Sequence, residues 1–123
     1  MDRLEHMFRL QAQLDEEIRV GHRLPDMSLS DWIQKEVLAI MVELGELLEE
    51  VNFKWWKVPR PLDPEAIKGE LVDILHFFIS MCLKAGIGAE DLYRAYIAKN
   101  EENFRRQRGL SSRDGYAPES GGR

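Results

Sequence analysis

The sequence predicts an all-α fold, an antiparallel four-helix bundle, and three observations predict it. Apolar residues recur at three- and four-residue spacing through four segments. Proline and glycine punctuate the chain between them. Nothing reads as a confident strand.

The first helix is expected over about residues 3–20, with Leu4, Met7, Phe8, Leu14 and Ile18 near one face and Gly21 and Pro25 ending it. Ser28-Leu29-Ser30-Asp31 resembles a capping box, with Ser28 or Ser30 as the N-cap of a second helix over about 31–53. Its apolar stripe is Ile33, Val37, Ile40, Met41, Leu44, Leu47, Leu48 and Val51. Pro59, Pro61 and Pro64 break the chain, and Asp63-Pro64 opens a third helix over about 64–85, stopped by Gly86 and Gly88. The fourth spans about 89–108. Residues 1–108 read as a single domain and 109–123, rich in Ser, Gly and charge, as a flexible tail.

Of 123 residues, 44 % are hydrophobic and 32 % charged, which fits one globular core rather than a disordered chain. A net charge of −5 argues against binding a nucleic acid polymer, which needs a basic surface. It does not exclude a nucleotide, because divalent cations reconcile acids with phosphates. No apolar run approaches the roughly 20 residues of a membrane span, and the N-terminus lacks a signal-peptide stretch. Cys82, the sole cysteine, excludes an internal disulfide and reads as a core residue. The expected compartment is reducing and cytoplasmic.

Two acidic pairs carry the strongest chemical signal. Glu43 and Glu46 are at i and i+3 on the second helix, and Glu70 and Asp73 repeat that spacing on the third. Each pair projects from one helix face. On facing helices the four carboxylates would surround one small volume and repel unless neutralised. Magnesium, a hard cation that takes carboxylate oxygens and bridges to phosphates, resolves the conflict. Solvated faces are the alternative, since Glu49 and Glu50 are ordinary surface acids of the same helix.

The fourth helix carries Lys99, Asn103 and Arg106 at i, i+4 and i+7, flanked by Asn100 and Gln107. Cations suit a helix C-terminus and can grip phosphate, and the amides suit sugar hydroxyls or base edges. A solvated face is again the alternative. In Phe53-Lys54-Trp55-Trp56-Lys57, the aromatics can stack on a base while Lys54 and Lys57 meet phosphates, or the tryptophans can pack in a core or an interface. His76 lies three residues beyond Asp73. It reads as a metal ligand, a partner of a ligand, a base contact or a core-edge histidine. Gln11 and Asp15, at i and i+4, say little on composition alone.

Combined, these pieces resemble a known family. Glu43-x-x-Glu46 followed by Glu70-x-x-Asp73 is similar to the signature of the all-α nucleoside triphosphate pyrophosphatases, which include MazG-like enzymes and dimeric dUTPases. The dimeric dUTPases are resembled more closely, through Leu10-to-Ile18, Glu43-to-Leu47, Phe53-to-Lys57, Glu70-to-Phe77 and Lys99-to-Gln107. Two features depart from that pattern: the chain is short for a dimeric dUTPase, and Asp15 stands where some relatives have an amide.

The resemblance implies hydrolysis between the α- and β-phosphates, with dUTP the leading substrate, giving dUMP and pyrophosphate. It implies two or three magnesium ions held by Glu43, Glu46, Glu70 and Asp73, with Glu46 nearest the attacking water and Glu43 beside it. Lys54, Lys57, Lys99 and Arg106 would stabilise charge, while Asn100 and Asn103 would orient the sugar or a phosphate. Trp56, His76, Phe77 and Gln11 would form the base pocket. A homodimer is expected, with a tetramer as the larger option. Trp32, Ile33, Ile40 and Leu47 on the second helix, with Phe77, Phe78 and Met81 on the third, exceed what one small bundle can cover. The rivals are a MazG-like enzyme acting on dCTP or on several triphosphates, and a helical interaction protein without catalysis.

Overall fold

The structure, a computed structural model, describes residues 2–110. Its elements are four helices, α1 (Arg3–Gly21), α2 (Leu29–Glu50), α3 (Pro64–Lys84) and α4 (Ala89–Gln107), with no strand among the described residues. The all-α expectation therefore holds. Two compact units divide the chain, Met1–Gly88 with α1 to α3, and Ala89–Arg123 with α4. From residue 111 onward the expected tail lies outside the described residues.

Each helix end has a local cause. Asp2 and Glu5 form a reciprocal capping box at the start of α1. That helix does not stop on its glycine. Gly21 is its last residue, and the left-handed position falls on Arg23 (φ 50°), so that Leu24 N–H donates to Arg19 O at 3.0 Å. Ser28, not Ser30, caps α2: its Oγ accepts the Asp31 N–H at 3.1 Å.

The second helix also ends earlier than the expected Phe53. Asn52 turns left-handed (φ 59°), and Phe53 N–H returns to Leu48 O at 3.3 Å. The Asn52 amide then clasps the backbone of Arg60 in both directions at 2.9 Å and closes the Trp loop. Asp63 caps α3 as expected, with Pro64 in first position. Gly86 (φ 75°) terminates it, with Ile87 N–H donating to Cys82 O at 2.8 Å.

In the first unit α3 is central. It packs against both α1 and α2, which do not pack against each other. Cross-helix partners fix the directions. Glu43 faces Glu70 while Glu36 faces Ser80 and Lys84, so α2 and α3 run antiparallel. Gln11 meets His76 and Asp15 meets Ser80, so α1 and α3 run parallel. An open cleft of about 870 Å³ results, floored by α3 and walled by α1 and α2. The buried apolar residues include Phe8 of α1 and Ile79 and Cys82 of α3, which places Cys82 in the core as expected.

One expectation about packing fails in part. Of the residues expected on a surplus surface, Phe78 is exposed at 37 %, but Trp32, Ile33, Ile40, Leu47, Phe77 and Met81 are half-buried. Within the expected core stripe, Val37, Met41, Leu44 and Leu48 are exposed at 41–59 %, whereas Ile33, Ile40 and Leu47 are half-buried. Helix α2 carries two stripes. Its inward one, Ile33, Glu36, Ile40, Glu43 and Leu47, includes two carboxylates, and an apolar tally cannot recognise it as the inner face.

Candidate active site

At the α2–α3 contact the structure brings together three of the four acids singled out in the sequence. Ligand oxygens of Glu43, Glu46 and Glu70 lie within 4.8 Å of one another, with Glu43 and Glu70 half-buried and Glu46 exposed. Asp73, one turn beyond Glu70, stands outside that tight group but lines the cleft with Glu43. Its charge reaches both Glu43 and Glu70.

The electrostatics show a conflict. Glu43 is raised from an ordinary 4.5 to about 7, chiefly by the hydrogen bond it shares with Glu70, then by burial and by the charges of Glu46 and Asp73. For Glu70 the bond with Glu43 pulls the value down, but burial and the same charges outweigh it and the net direction is up. When both are ionised, Glu43 Oε2 and Glu70 Oε2 are buried with nothing to accept from. Relief comes from a shared proton or from a cation. A hard divalent ion fits this all-oxygen donor set.

A second polar group occupies the cleft about two turns along α2, and sequence reasoning missed its Glu36, Ser80 and Lys84. Glu36 is buried and ion-paired with Lys84. Ser80, also buried, lies between Glu36 Oε1 (2.9 Å) and Asp15 Oδ2 (2.8 Å) and receives Lys84 Nζ at 2.9 Å. The Lys84 ammonium also sits 3.9 Å from the Trp32 ring centroid. Asp15 Oδ1 accepts from Gln11 Nε2 at 2.9 Å, and Gln11 Oε1 faces His76 Nδ1 at 2.5 Å. The signal that could have found it is a polar stripe within α3, Asp73, His76, Ser80 and Lys84, at steps of three and four.

Gln11, His76 and Phe77 are thus brought to the cleft. Lys54, Trp56 and Lys57 are not among its lining residues. Lys54 pairs with Glu49 at 2.5 Å and lies 5.8 Å from the Phe53 ring centroid. Trp56 packs edge-on against Trp55 and Phe53, and Lys57 is exposed. On α4, Lys99, Asn103 and Arg106 share one face by helical spacing. Arg106 bonds to Glu102 and Asn103, Asn100 is half-buried and Gln107 is exposed.

Comparison with known proteins adds the family. The dUTPase family matches residues 3–89, well over half of the chain. The chain belongs to that family. Similar relatives include a dCTP pyrophosphatase of Enterobacteria phage T4, 34 % identical over 63 % of this chain and 55 % of the relative. A dCTP pyrophosphatase of Enterobacteria phage LZ5 is 35 % identical over 60 % of this chain and 43 % of that protein. A DNA replication protein of phage T4 is 32 % identical over 58 % and 22 % respectively. The chain spans about half the length, or less, of the curated relatives it matches. No solved structure matches it. Among the described residues of this dUTPase-family chain, no single helix is long and apolar enough to cross a membrane.

Proposed function

We propose that this protein is a magnesium-dependent nucleoside triphosphate pyrophosphohydrolase, cleaving a deoxypyrimidine triphosphate into the monophosphate and pyrophosphate. The observation that carries the reading is the pair of orphaned carboxylate oxygens on Glu43 and Glu70, with Glu46 beside them, at the edge of a cleft large enough for a nucleotide. Membership of the dUTPase family supports it. Two substrates compete. The family description supports dUTP, and the relatives described as dCTP pyrophosphatases support dCTP.

Glu43, Glu46, Glu70 and Asp73 would hold the ions, two or three as the family resemblance implies. Bound there, magnesium supplies neutralisation of the phosphates and a lowered pKa for water. Glu46, the exposed member of the cluster, would take the proton of the attacking water. Gln11, His76 and Phe77 line the base end of the cleft. On the Trp loop, Trp56, Lys54 and Lys57 would offer stacking and cationic groups; on α4, taken by itself, Lys99, Asn100, Asn103, Arg106 and Gln107 are cationic and amide groups of the kind that suit phosphate and sugar.

The active form is a homodimer. The exposed stripe of α2, together with Trp55 at 85 % exposure, is an apolar surface of the kind a second copy covers. Pyrophosphate release should require magnesium and stop with a chelator. A panel of dUTP, dCTP and the other triphosphates ranks the substrates. If no triphosphate is turned over at any magnesium concentration, the hydrolase reading fails, and the non-catalytic scaffold takes its place.

A further inference from the structure

The polar groups at the Glu36 end of the cleft form one connected chain, and one arrangement of its protons satisfies every member. Lys84 has protons to give and nothing to accept with. It donates to Glu36 and to Ser80 Oγ. Ser80 Oγ stands 2.9 Å from Glu36 Oε1 and 2.8 Å from Asp15 Oδ2, with one proton of its own. Glu36 Oε1 already receives the ammonium, so the hydroxyl proton goes to Asp15.

The other side of Asp15 is fixed by the same reasoning. A carboxylate only accepts. The Gln11 atom 2.9 Å from Asp15 Oδ1 is therefore the amide nitrogen, which turns the Gln11 carbonyl oxygen toward His76 Nδ1 at 2.5 Å. That oxygen cannot donate, so Nδ1 carries the proton of the neutral ring and Nε2 keeps its lone pair. Both Asp15 oxygens are thereby met, one from Gln11 and one from Ser80. Gln11 and Ser80 are more than nine-tenths buried, so neither readily exchanges its partner for water. His76 is exposed and lines the cleft.

We propose that Asp15 is a positioning residue: by accepting from Gln11 it fixes that amide, and through the amide it holds His76 as the Nδ1–H tautomer, with Nε2 left as a hydrogen-bond acceptor in the cleft. Such a nitrogen takes a hydroxyl or an N–H of a bound nucleotide. That last step rests on the reading of the cleft as the nucleotide site, whereas the tautomer does not. An amide at position 15 would offer either its oxygen or its nitrogen, so Gln11 could turn over and the ring proton could move to Nε2. Ser80 and Lys84 steady the carboxylate without choosing the tautomer, because Asp15 remains an acceptor in their absence.

The test is nitrogen-15 NMR of the histidine rings in the full chain at about pH 8.5, above the ordinary imidazole range. The His76 signals are assigned by their loss in His76→Gln. Wild type should show mainly the Nδ1–H form, the tautomer that a free histidine side chain disfavours. Asp15→Asn, close in shape, should move the population toward Nε2–H, as should Gln11→Met, which removes the amide altogether. Ser80→Ala should leave it at the wild-type value. With magnesium and the better of dUTP and dCTP, Asp15→Asn should raise KM about three- to tenfold, the worth of one hydrogen bond, and leave kcat within about twofold. A wild-type ring found mainly as Nε2–H overturns the proposal without reference to any variant. So does an unchanged tautomer in folded Asp15→Asn, and so does an equal shift in Ser80→Ala, since a general loosening of the cleft would then move the proton. A shifted tautomer with an unchanged KM overturns the positioning role. If no triphosphate is hydrolysed, the hydrolase reading falls, and the ring spectra still decide whether Asp15 holds His76.

Discussion

Two carboxylate clusters lie about two turns apart along α2, one in the cleft and one at its edge, and the chain treats them in opposite ways. At one, Glu36 is buried but met by Lys84 and Ser80. At the other, Glu43 and Glu70 present buried oxygens to each other with no cation or donor of their own. The first is neutralised by the fold and the second requires something from outside. A protein rarely keeps an uncompensated buried charge unless a ligand completes it, because desolvation costs several kcal/mol per ion. The contrast separates an end whose charge the fold balances itself from an end that a cation would complete.

The largest effect that would test this contrast is catalytic. Glu43→Gln and Glu70→Gln should each lower pyrophosphate release at least about 10²-fold if those oxygens hold metal. Removing the repulsion should at the same time raise the thermal midpoint of the metal-free protein near neutral pH. Near-normal turnover in both variants would break the comparison, because the second cluster would then need no cation.

Next comes the self-compensated cluster. Lys84→Met strands Glu36 without its ion-pair partner and should cost about 2 kcal/mol in urea unfolding. That is below the 3–5 kcal/mol of a fully buried pair, because Lys84 is about one-fifth exposed. Adding Glu36→Gln should recover part of the loss. A single variant as stable as wild type would show that water, rather than Lys84, neutralises Glu36.

A smaller effect is the pH dependence of stability without metal. Glu43 has a folded value of about 7 against an ordinary 4.5, so the fold favours its protonated form. Its contribution is therefore complete below about 4.5 and is lost as pH rises through about 7. Magnesium favours the ionised form and should flatten this fall. Thermal midpoints at about pH 5 and about pH 8, with chelator and with magnesium, check the sign. A midpoint in chelator that rises over that interval would contradict it.

The smallest effect is a control belonging to neither cluster. Arg23 holds a left-handed backbone that glycine adopts without strain, so Arg23→Gly should stabilise the protein by about 1 kcal/mol. The gain should be the same with and without magnesium. A metal-dependent gain would mean that the α1–α2 turn is coupled to the site.

Sequence by itself determined where the helices lie and which acids pair. Caps such as Ser28 and Asp63, the stop at Gly86 and the i, i+3 spacing of Glu43–Glu46 and Glu70–Asp73 are local rules, satisfied within one or two turns. Tertiary structure alone decided which face of α2 turns inward. That helix is apolar on more than one side, so a 3.6-residue period admits either Val37-Met41-Leu44-Leu48 or Ile33-Ile40-Leu47 as the core stripe. The choice falls on the face carrying Glu36 and Glu43 because α3 offers Lys84 and Ser80 to the first and Glu70 to the second. Asp15 meets Ser80 across 65 positions of sequence, and Glu36 meets it across 44. A hydrogen bond over that separation depends on how three helices dock, which no periodicity within one of them encodes.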